Sequence, residues 1–202
     1  MNLKKLSLCL LALTFCVSMF ACSGQRVTRV NNDQPIDLSG NWNDTDSRLV
    51  SQEMITDALG SAWLRDFTEK QGRRPVVIVG DVLNMTEEHI NTGTFVQDLA
   101  RNLTNSGRVT FVASRDQREA LRDERADQAE HARASTVSQQ GNETGADFML
   151  KGQISSMLDT GSGAQLIVYQ VDLEMINIET NERVWMGNKT IRKVVSRNRF
   201  RA

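Results

Sequence analysis

The sequence has little of what most catalytic and metal-binding sites are built from. It contains two histidines, His89 and His131, and three cysteines that all fall within the first 22 of its 202 residues. A metal cluster of histidine and cysteine is therefore excluded, and a nucleophile activated by histidine would have to use one of these two side chains. No acidic pair lies in an apolar run that would raise a carboxyl pKa. We expect no catalytic residue, no metal and no cofactor, and hence no enzyme.

Strong net charge is absent too, and so is any long hydrophobic run beyond the N-terminus. The 24 basic and 25 acidic side chains nearly balance, whereas nucleic-acid-binding domains need a basic field. After the N-terminal run, no stretch reaches the roughly 20 apolar residues that a membrane-spanning helix needs. We therefore expect no nucleic-acid partner, and no second membrane attachment besides one at the N-terminus.

The N-terminus has the order of a bacterial lipoprotein signal. Lys4 and Lys5 precede an almost uninterrupted apolar run over residues 6–20, and Ala21 is a small residue directly before Cys22. Cleavage before Cys22 removes the other two cysteines and leaves the only thiol of an exported chain at its first position, which lipidation explains. A lipobox usually has leucine where this chain has Met19. The alternative is an ordinary cleaved secretory peptide followed by a cysteine that carries no lipid.

Cleavage there divides the chain into three predicted parts. Residues 1–21 are the signal peptide, residues 22–40 a flexible tether, and residues 41–202 a single globular domain. Without the two lysines of the signal, the mature chain has 22 basic and 25 acidic side chains, a net charge of −3. A tether of about 18 residues reaches roughly 60 Å when fully extended. We therefore expect the domain to contact something that lies near the membrane.

Apolar residues at three- and four-residue spacing predict several helices in the domain. The predicted helices are one from Asp46 that Gly60 divides and Gly72 stops, one around residues 95–103 that Gly107 follows, a highly charged one over residues 115–133, and a short one near residues 137–144. The charged helix has few apolar side chains to bury. It is either a solvated surface helix or a docking face for a partner.

β-Branched and alternating runs predict the strands. Residues 76–79 and 109–113 are short apolar runs, typical of strands buried on both faces. Residues 148–158, 165–178 and 183–195 are separated by short turns, which predicts three antiparallel strands in a C-terminal β-meander.

Several runs of the domain carry a resemblance to a known family. They are residues 41–48 (NWNDTDSR), 75–80 (PVVIVG), 145–152 (GADFMLKG), 169–173 (YQVDL) and 180–185 (TNERVW). Together, behind a lipobox, they resemble the LpoB family of outer-membrane lipoproteins that activate penicillin-binding proteins. The resemblance covers residues 41–195. The best-known members carry a long proline-rich tether, whereas Pro35 is the sole proline here before the domain.

The resemblance implies both a fold and a function. The fold is α/β (α+β), a mostly antiparallel sheet flanked by helices, similar to the N-terminal domain of TolB. The function is to dock, from the outer membrane, onto a class A penicillin-binding protein and to stimulate peptidoglycan synthesis by favouring the synthase's active conformation. The protein would then be a lipid-anchored monomer on the periplasmic face, with a role in cell-wall biogenesis and cell shape. Ser23, after the anchor cysteine, is similar to lipoproteins sent to the outer membrane.

The polar run at the start of the first helix contains our candidates for partner binding. Trp42 stands between Gly40 and this run, so that it either packs across the helix start or is exposed for a partner. The candidates are Trp42, Asn43, Asp44, Asp46 and Arg48.

The alternative function is an assembly or secretion lipoprotein of the CsgG type, which forms a pore through membrane-crossing hairpins. The only candidate hairpin spans residues 148–178, and Asp172 and Glu174 lie on its outward face. Charged side chains on a lipid-facing strand are costly, which argues against a pore.

Overall fold

A computed structural model describes residues 28–31, 34–161 and 163–196. The chain divides into a unit that ends at Pro35 and a compact unit that begins at Ile36. The domain start predicted at Asn41 therefore lies five residues after the start of the compact unit. The elements of this unit are the helices α1 (Asp44–Gly60), α2 (Ala62–Gln71), α3 (Thr92–Asn105) and α4 (Arg115–His131), and the strands β1 (Val76–Asn84), β2 (Thr110–Phe111), β3 (Phe148–Thr160), β4 (Ala164–Asn177) and β5 (Arg183–Ser196).

Local sequence sets the ends of the first two helices. At the start of α1, the Asn43 side chain accepts from the Asp46 N–H, and the Asp46 carboxylate accepts from the Asn43 N–H, which is a complete capping box. The helix ends at Gly60, as predicted, and α2 follows after one residue. Gly72 ends α2 in the left-handed conformation with φ of 65°. Glycine adopts this conformation without the steric penalty that a Cβ would bring.

The five strands form one sheet in the order β2-β1-β3-β4-β5. Strand β1 runs parallel to both β2 and β3, whereas β3–β4 and β4–β5 are long antiparallel pairs. The antiparallel register is unbroken from Phe148 opposite Asn177 to Thr160 opposite Gln165. The predicted mixed fold, its C-terminal meander and the mostly antiparallel character of its sheet are confirmed.

The core lies between one face of this sheet and the helices α1 and α3. Alternate residues of β3 and β4 point into it because side chains of a strand alternate between faces. The fully buried side chains of this face include Leu150, Ile154, Tyr169, Val171 and Met175. Burying one such apolar side chain contributes about 1.5–3 kcal/mol relative to leaving it exposed.

Three local predictions differ from the structure. The strand predicted over residues 109–113 is only Thr110–Phe111, since only these residues pair with β1. Residues 137–144 form no helix and are irregular apart from a turn at residues 140–141, where Gly141 has φ of 83°. Helix α4 ends at His131, two residues before its predicted end, and buries none of its side chains. The choice between a solvated surface helix and a docking face for a partner stays a prediction.

Asp147 joins the starts of the two parallel strands β1 and β3. Its carboxylate accepts two hydrogen bonds of 2.7 Å from the Arg73 guanidinium and one of 2.7 Å from the Val76 N–H. The bonds from Arg73, assisted by the one from Val76, lower the pKa of Asp147 below its ordinary value. A group with a lowered folded-state pKa stabilises the fold above its unfolded pKa, and this stabilisation is lost as the pH falls through the folded pKa.

We therefore predict that Asp147→Asn lowers the free energy of unfolding at about pH 6, and that the difference from the wild type shrinks as the pH falls below the ordinary aspartate pKa of 3.8. Urea unfolding across this pH range measures it. Asp123→Asn, at an exposed position of α4, is the control and should show no such trend. A difference that stays constant with pH would contradict the assigned role of the carboxylate.

Candidate functional site

The candidate partner-binding residues lie in residues 42–48, which we call the candidate run. This run follows a short segment, residues 36–41, that packs against the sheet. Gly40 lies so close to the ends of β4 and β5 that a Cβ there would come within 2.5 Å of Val195 and 2.8 Å of Ile167. Residues 36–40, which the sequence assigns to the tether, therefore begin the folded unit. Their position fixes where the chain enters the domain.

Lys193 of β5 holds this segment and the start of α1 together. Its Nζ lies 2.6 Å from the Asp46 carboxylate, 2.9 Å from the Asp37 carboxylate and 3.0 Å from the carbonyl oxygen of Asn41. The side chains of Lys193 and Asp46 are only 10% and 8% exposed. Burial acts to lower the pKa of Lys193, but the hydrogen bonds to Asp46 and Asp37 outweigh it and raise the pKa. Lys193 therefore stays charged.

A second polar group ties the same segment to the middle of the sheet. The buried Tyr169 hydroxyl donates to the Glu88 carboxylate and lies 3.2 Å from the carbonyl oxygen of Gly40. The other oxygen of Glu88 accepts from the Trp42 N–H at 3.2 Å. Burial first, and then the hydrogen bond to Glu88, raise the pKa of Tyr169. The phenol therefore stays neutral and donates.

Trp42 packs across the start of α1. Its ring meets Phe95 at 6.1 Å and Tyr169 at 5.6 Å between centroids, both edge-on, and its indole N–H donates to the Ser47 hydroxyl at 2.8 Å. Ser47 is the fourth residue of α1, so the contact spans the first helical turn as a staple does. Trp42 remains half-buried.

The other candidate residues divide into two groups. Asn43 and Asp46 have side chains engaged in the capping box and, for Asp46, in the ion pair with Lys193. Asp44 is exposed and Arg48 half-buried, and neither side chain makes a hydrogen bond or ion pair within the described residues. The assignment of the five residues to partner binding stays a prediction, and so does lipidation of Cys22, which lies outside the described residues.

The sheet face opposite α1 and α3 offers a second surface. Met157, Met186 and Val194 are each more than 60% exposed on it. Glu174 lies between two cations there, 2.8 Å from the Arg183 Nε and 3.5 Å from the Lys151 Nζ. Exposed apolar side chains and a cluster of paired charges therefore lie on the same face.

The histidines show no sign of a catalytic or metal-binding arrangement in the described part of the chain. Both side chains are exposed, and His131 lies 3.3 Å from Asp127 on the same helix. Over residues 28–31, 34–161 and 163–196, no three side chains of His, Cys, Asp and Glu come together in a way that could hold a metal ion. None of the described helices is both long and apolar enough to cross a bilayer.

Sequence reasoning missed the two polar groups that hold the segment in place. Lys193 and Asp46 are 147 residues apart, and Tyr169 and Glu88 are 81 apart. One signal was available: Tyr169 shares the core register of β4 with Val171 and Leu173, and a buried phenol needs a hydrogen-bond partner. The pattern predicts that a partner exists without saying which residue it is.

Comparison with known proteins gives one family. Residues 46–191 match the family described as peptidoglycan-synthase activator LpoB. Among solved structures, the LpoB C-terminal domains from Salmonella enterica and from Escherichia coli are each 18% identical over 72% of this chain and 98% of theirs, with TM-scores of 0.42. The NMR structure of E. coli LpoB is 17% identical over 88% of this chain and 86% of its own, also with a TM-score of 0.42. No curated protein matches the sequence.

The buried ion pair of Lys193 yields a direct prediction. Lys193→Met leaves Asp46 buried without its cation, which should lower the free energy of unfolding by about 2–4 kcal/mol. Lys189→Met on the same strand is the matched control. It removes an ion pair with the exposed Glu53, and such pairs contribute about 1 kcal/mol or less. Equal losses for the two variants in urea unfolding would contradict the special role of Lys193.

Proposed function

Because the chain belongs to the LpoB family of peptidoglycan-synthase activators, we propose that it is a lipid-anchored regulator that binds and activates a class A penicillin-binding protein. The observation that carries this proposal is the family match, which runs from the first turn of α1 into β5. On this proposal the chain catalyses no reaction itself. It changes the rate of the synthase by binding.

A regulator of this kind acts through the difference between two affinities. It must bind the active conformation of the synthase more tightly than the resting one, since equal binding to both shifts no population. A tenfold shift needs a difference of about 1.4 kcal/mol. A few well-placed contacts supply such a difference when the surface that makes them is held rigidly. The buried contacts of Lys193 and Tyr169 support this, because they fix the candidate run on the sheet.

The anchor and its reach limit where the regulator works. We propose that Cys22 carries the lipid, that the anchor lies in the outer membrane, and that the domain faces the periplasm. Three acyl chains hold a protein at a membrane far more firmly than one. Since the compact unit begins at Ile36, residues 22–35 are left as the tether, and they could span at most about 50 Å. The docking domain of the synthase should lie within that distance of the anchoring membrane.

Asp44 and Arg48 provide the sharpest test of the candidate run. They lie one helical turn apart on α1, and neither has an ion-pair partner among the described residues. Trp42, Asn43 and Asp46 are less suitable because their replacement would also damage the fold. Reversing the charges of Asp44 and Arg48 together changes the surface and keeps the net charge of the protein.

We predict that the full-length chain, purified in detergent, raises the glycan polymerisation rate of at least one class A synthase from its host several-fold. The double variant Asp44→Lys, Arg48→Glu should lose most of this stimulation, because it presents reversed charges to the partner. Arg65→Glu with Glu69→Lys, a pair with the same spacing on the exposed side of α2, is the matched control and should stimulate fully. Unchanged rates for every class A synthase of the host would refute the proposed function.

A further inference from the structure

The two edges of the sheet differ greatly in length. Strand β2 forms one edge with two residues, and β5 forms the other with fourteen. Proteins commonly protect an edge with short strands, prolines or bulges, because unpaired peptide groups accept further strands. Strand β5 contains no proline, and its register with β4 is regular from Trp185 to Ser196. It is long, and no described segment pairs with its outer side.

The outward peptide groups of β5 can be identified from hydrogen bonds at the start of the hairpin. The N–H of Asn177 donates to Glu182 on the β5 side, whereas the N–H of Ile178 donates to Asp147 on the β3 side. Peptide groups alternate in direction along a strand. With Met175 opposite Trp185, the odd-numbered residues of β5 bond to β4 and the even-numbered ones face outward. The outward residues are Met186, Asn188, Thr190, Arg192 and Val194.

A groove runs beside this edge, between β5 and α1. Leu49 of α1 is 49% exposed beside it, and Gly187 and Ile191 of β5 line it. At Gly187 the Trp185 ring takes the space where a Cβ would stand, at 2.3 Å, so the ring forms part of the groove wall. In strand addition, main-chain bonds to the edge give affinity, and pockets for alternate side chains give specificity. The groove would take apolar side chains.

The charges near the edge favour one kind of occupant. Residues 183–196, which form β5, contain four basic side chains and no acidic one. Lys189 and Lys193 are engaged with acidic residues on the helix side, but Arg192 is exposed on the opposite face and has no ion pair within the described residues. A second copy of β5 would bring a basic strand without acids to this edge. An extended segment with acidic side chains is complementary to it.

We propose that β5 binds an extended segment of the synthase as a sixth strand, with apolar side chains in the groove beside α1 and acidic side chains towards Arg192. This inference rests on the proposed function and adds the mode of docking. The added strand would pair with the N–H and C=O groups of the outward residues. It would leave the bonds between β4 and β5 intact.

Hydrogen exchange on the unmodified protein tests this pairing directly. In the free chain, the amides of Met186, Asn188, Thr190, Arg192 and Val194 should exchange fast, whereas those of the odd-numbered residues of β5 should exchange slowly. Adding a detergent-solubilised class A synthase should slow the exchange of the outward amides by at least tenfold. If the synthase binds and these amides still exchange fast, docking does not use the edge.

A proline tests the same contact without loss of the sheet. Thr190→Pro removes an outward N–H, and proline is tolerated on edge strands where the N–H faces solvent. It should weaken synthase binding at least tenfold, while Thr190→Val, which keeps the N–H, should bind like the wild type. An unchanged midpoint of unfolding in urea confirms that the variant folds. If Thr190→Pro binds as well as the wild type, strand addition is refuted.

Arg192→Glu tests the acidic character of the occupant. It should weaken binding several-fold, whereas Arg108→Glu, an exposed position in the loop before β2, should not. If the wild type binds no class A synthase, the proposed function fails as well. If instead the wild type sediments as a dimer that Thr190→Pro dissociates, the occupant is a second copy of this chain, and the acidic segment is refuted.

Discussion

The buried ammonium of Lys193 is the interaction on which the arrangement of the domain's N-terminal side depends. It lies within 3.0 Å of three oxygen atoms, from Asp37, Asn41 and Asp46. These belong to the entering segment and to the first turn of α1, and Lys193 belongs to the last strand of the chain. A charge that is removed from water has to be paired, and here the acidic partners come from parts of the sequence far from β5. The pairing fixes the helix start beside the sheet edge.

This constraint has a consequence for binding. Trp42 sits between Phe95, Tyr169 and Ser47, and Glu88 accepts from both the Trp42 N–H and the Tyr169 hydroxyl. These contacts therefore hold the candidate run in one orientation on the domain. A surface that is already ordered loses less conformational entropy on binding than a flexible one. The same helix, α1, forms one wall of the groove beside β5, so the entering segment and the open edge belong to neighbouring surfaces.

The sequence predicts the local structure well and the long-range polar contacts poorly. The meander is predictable because Val171, Leu173 and Met175 alternate with polar residues, and the buried face of a strand imposes that period. Strand β2 is shorter than predicted because an apolar run does not reveal how many of its residues will pair. Residues 137–144 are irregular apart from one turn, and Glu143 there accepts from Arg122 and Arg125 of α4. Neither that contact nor the pairing of Lys193 leaves a periodic pattern, because each joins residues that are distant in sequence.

The most direct measurement is site-specific photocross-linking in living cells. A photoreactive amino acid placed at Asn188, on the outward register of β5, should cross-link the full-length chain to a class A penicillin-binding protein, and mass spectrometry should locate the linked peptide in an extended acidic segment. The same group at Arg65, on α2, should give no such product. Cross-linking of the synthase from Arg65 and not from Asn188 would contradict docking at the edge. The absence of any penicillin-binding protein among the products from either position would contradict the activator function itself.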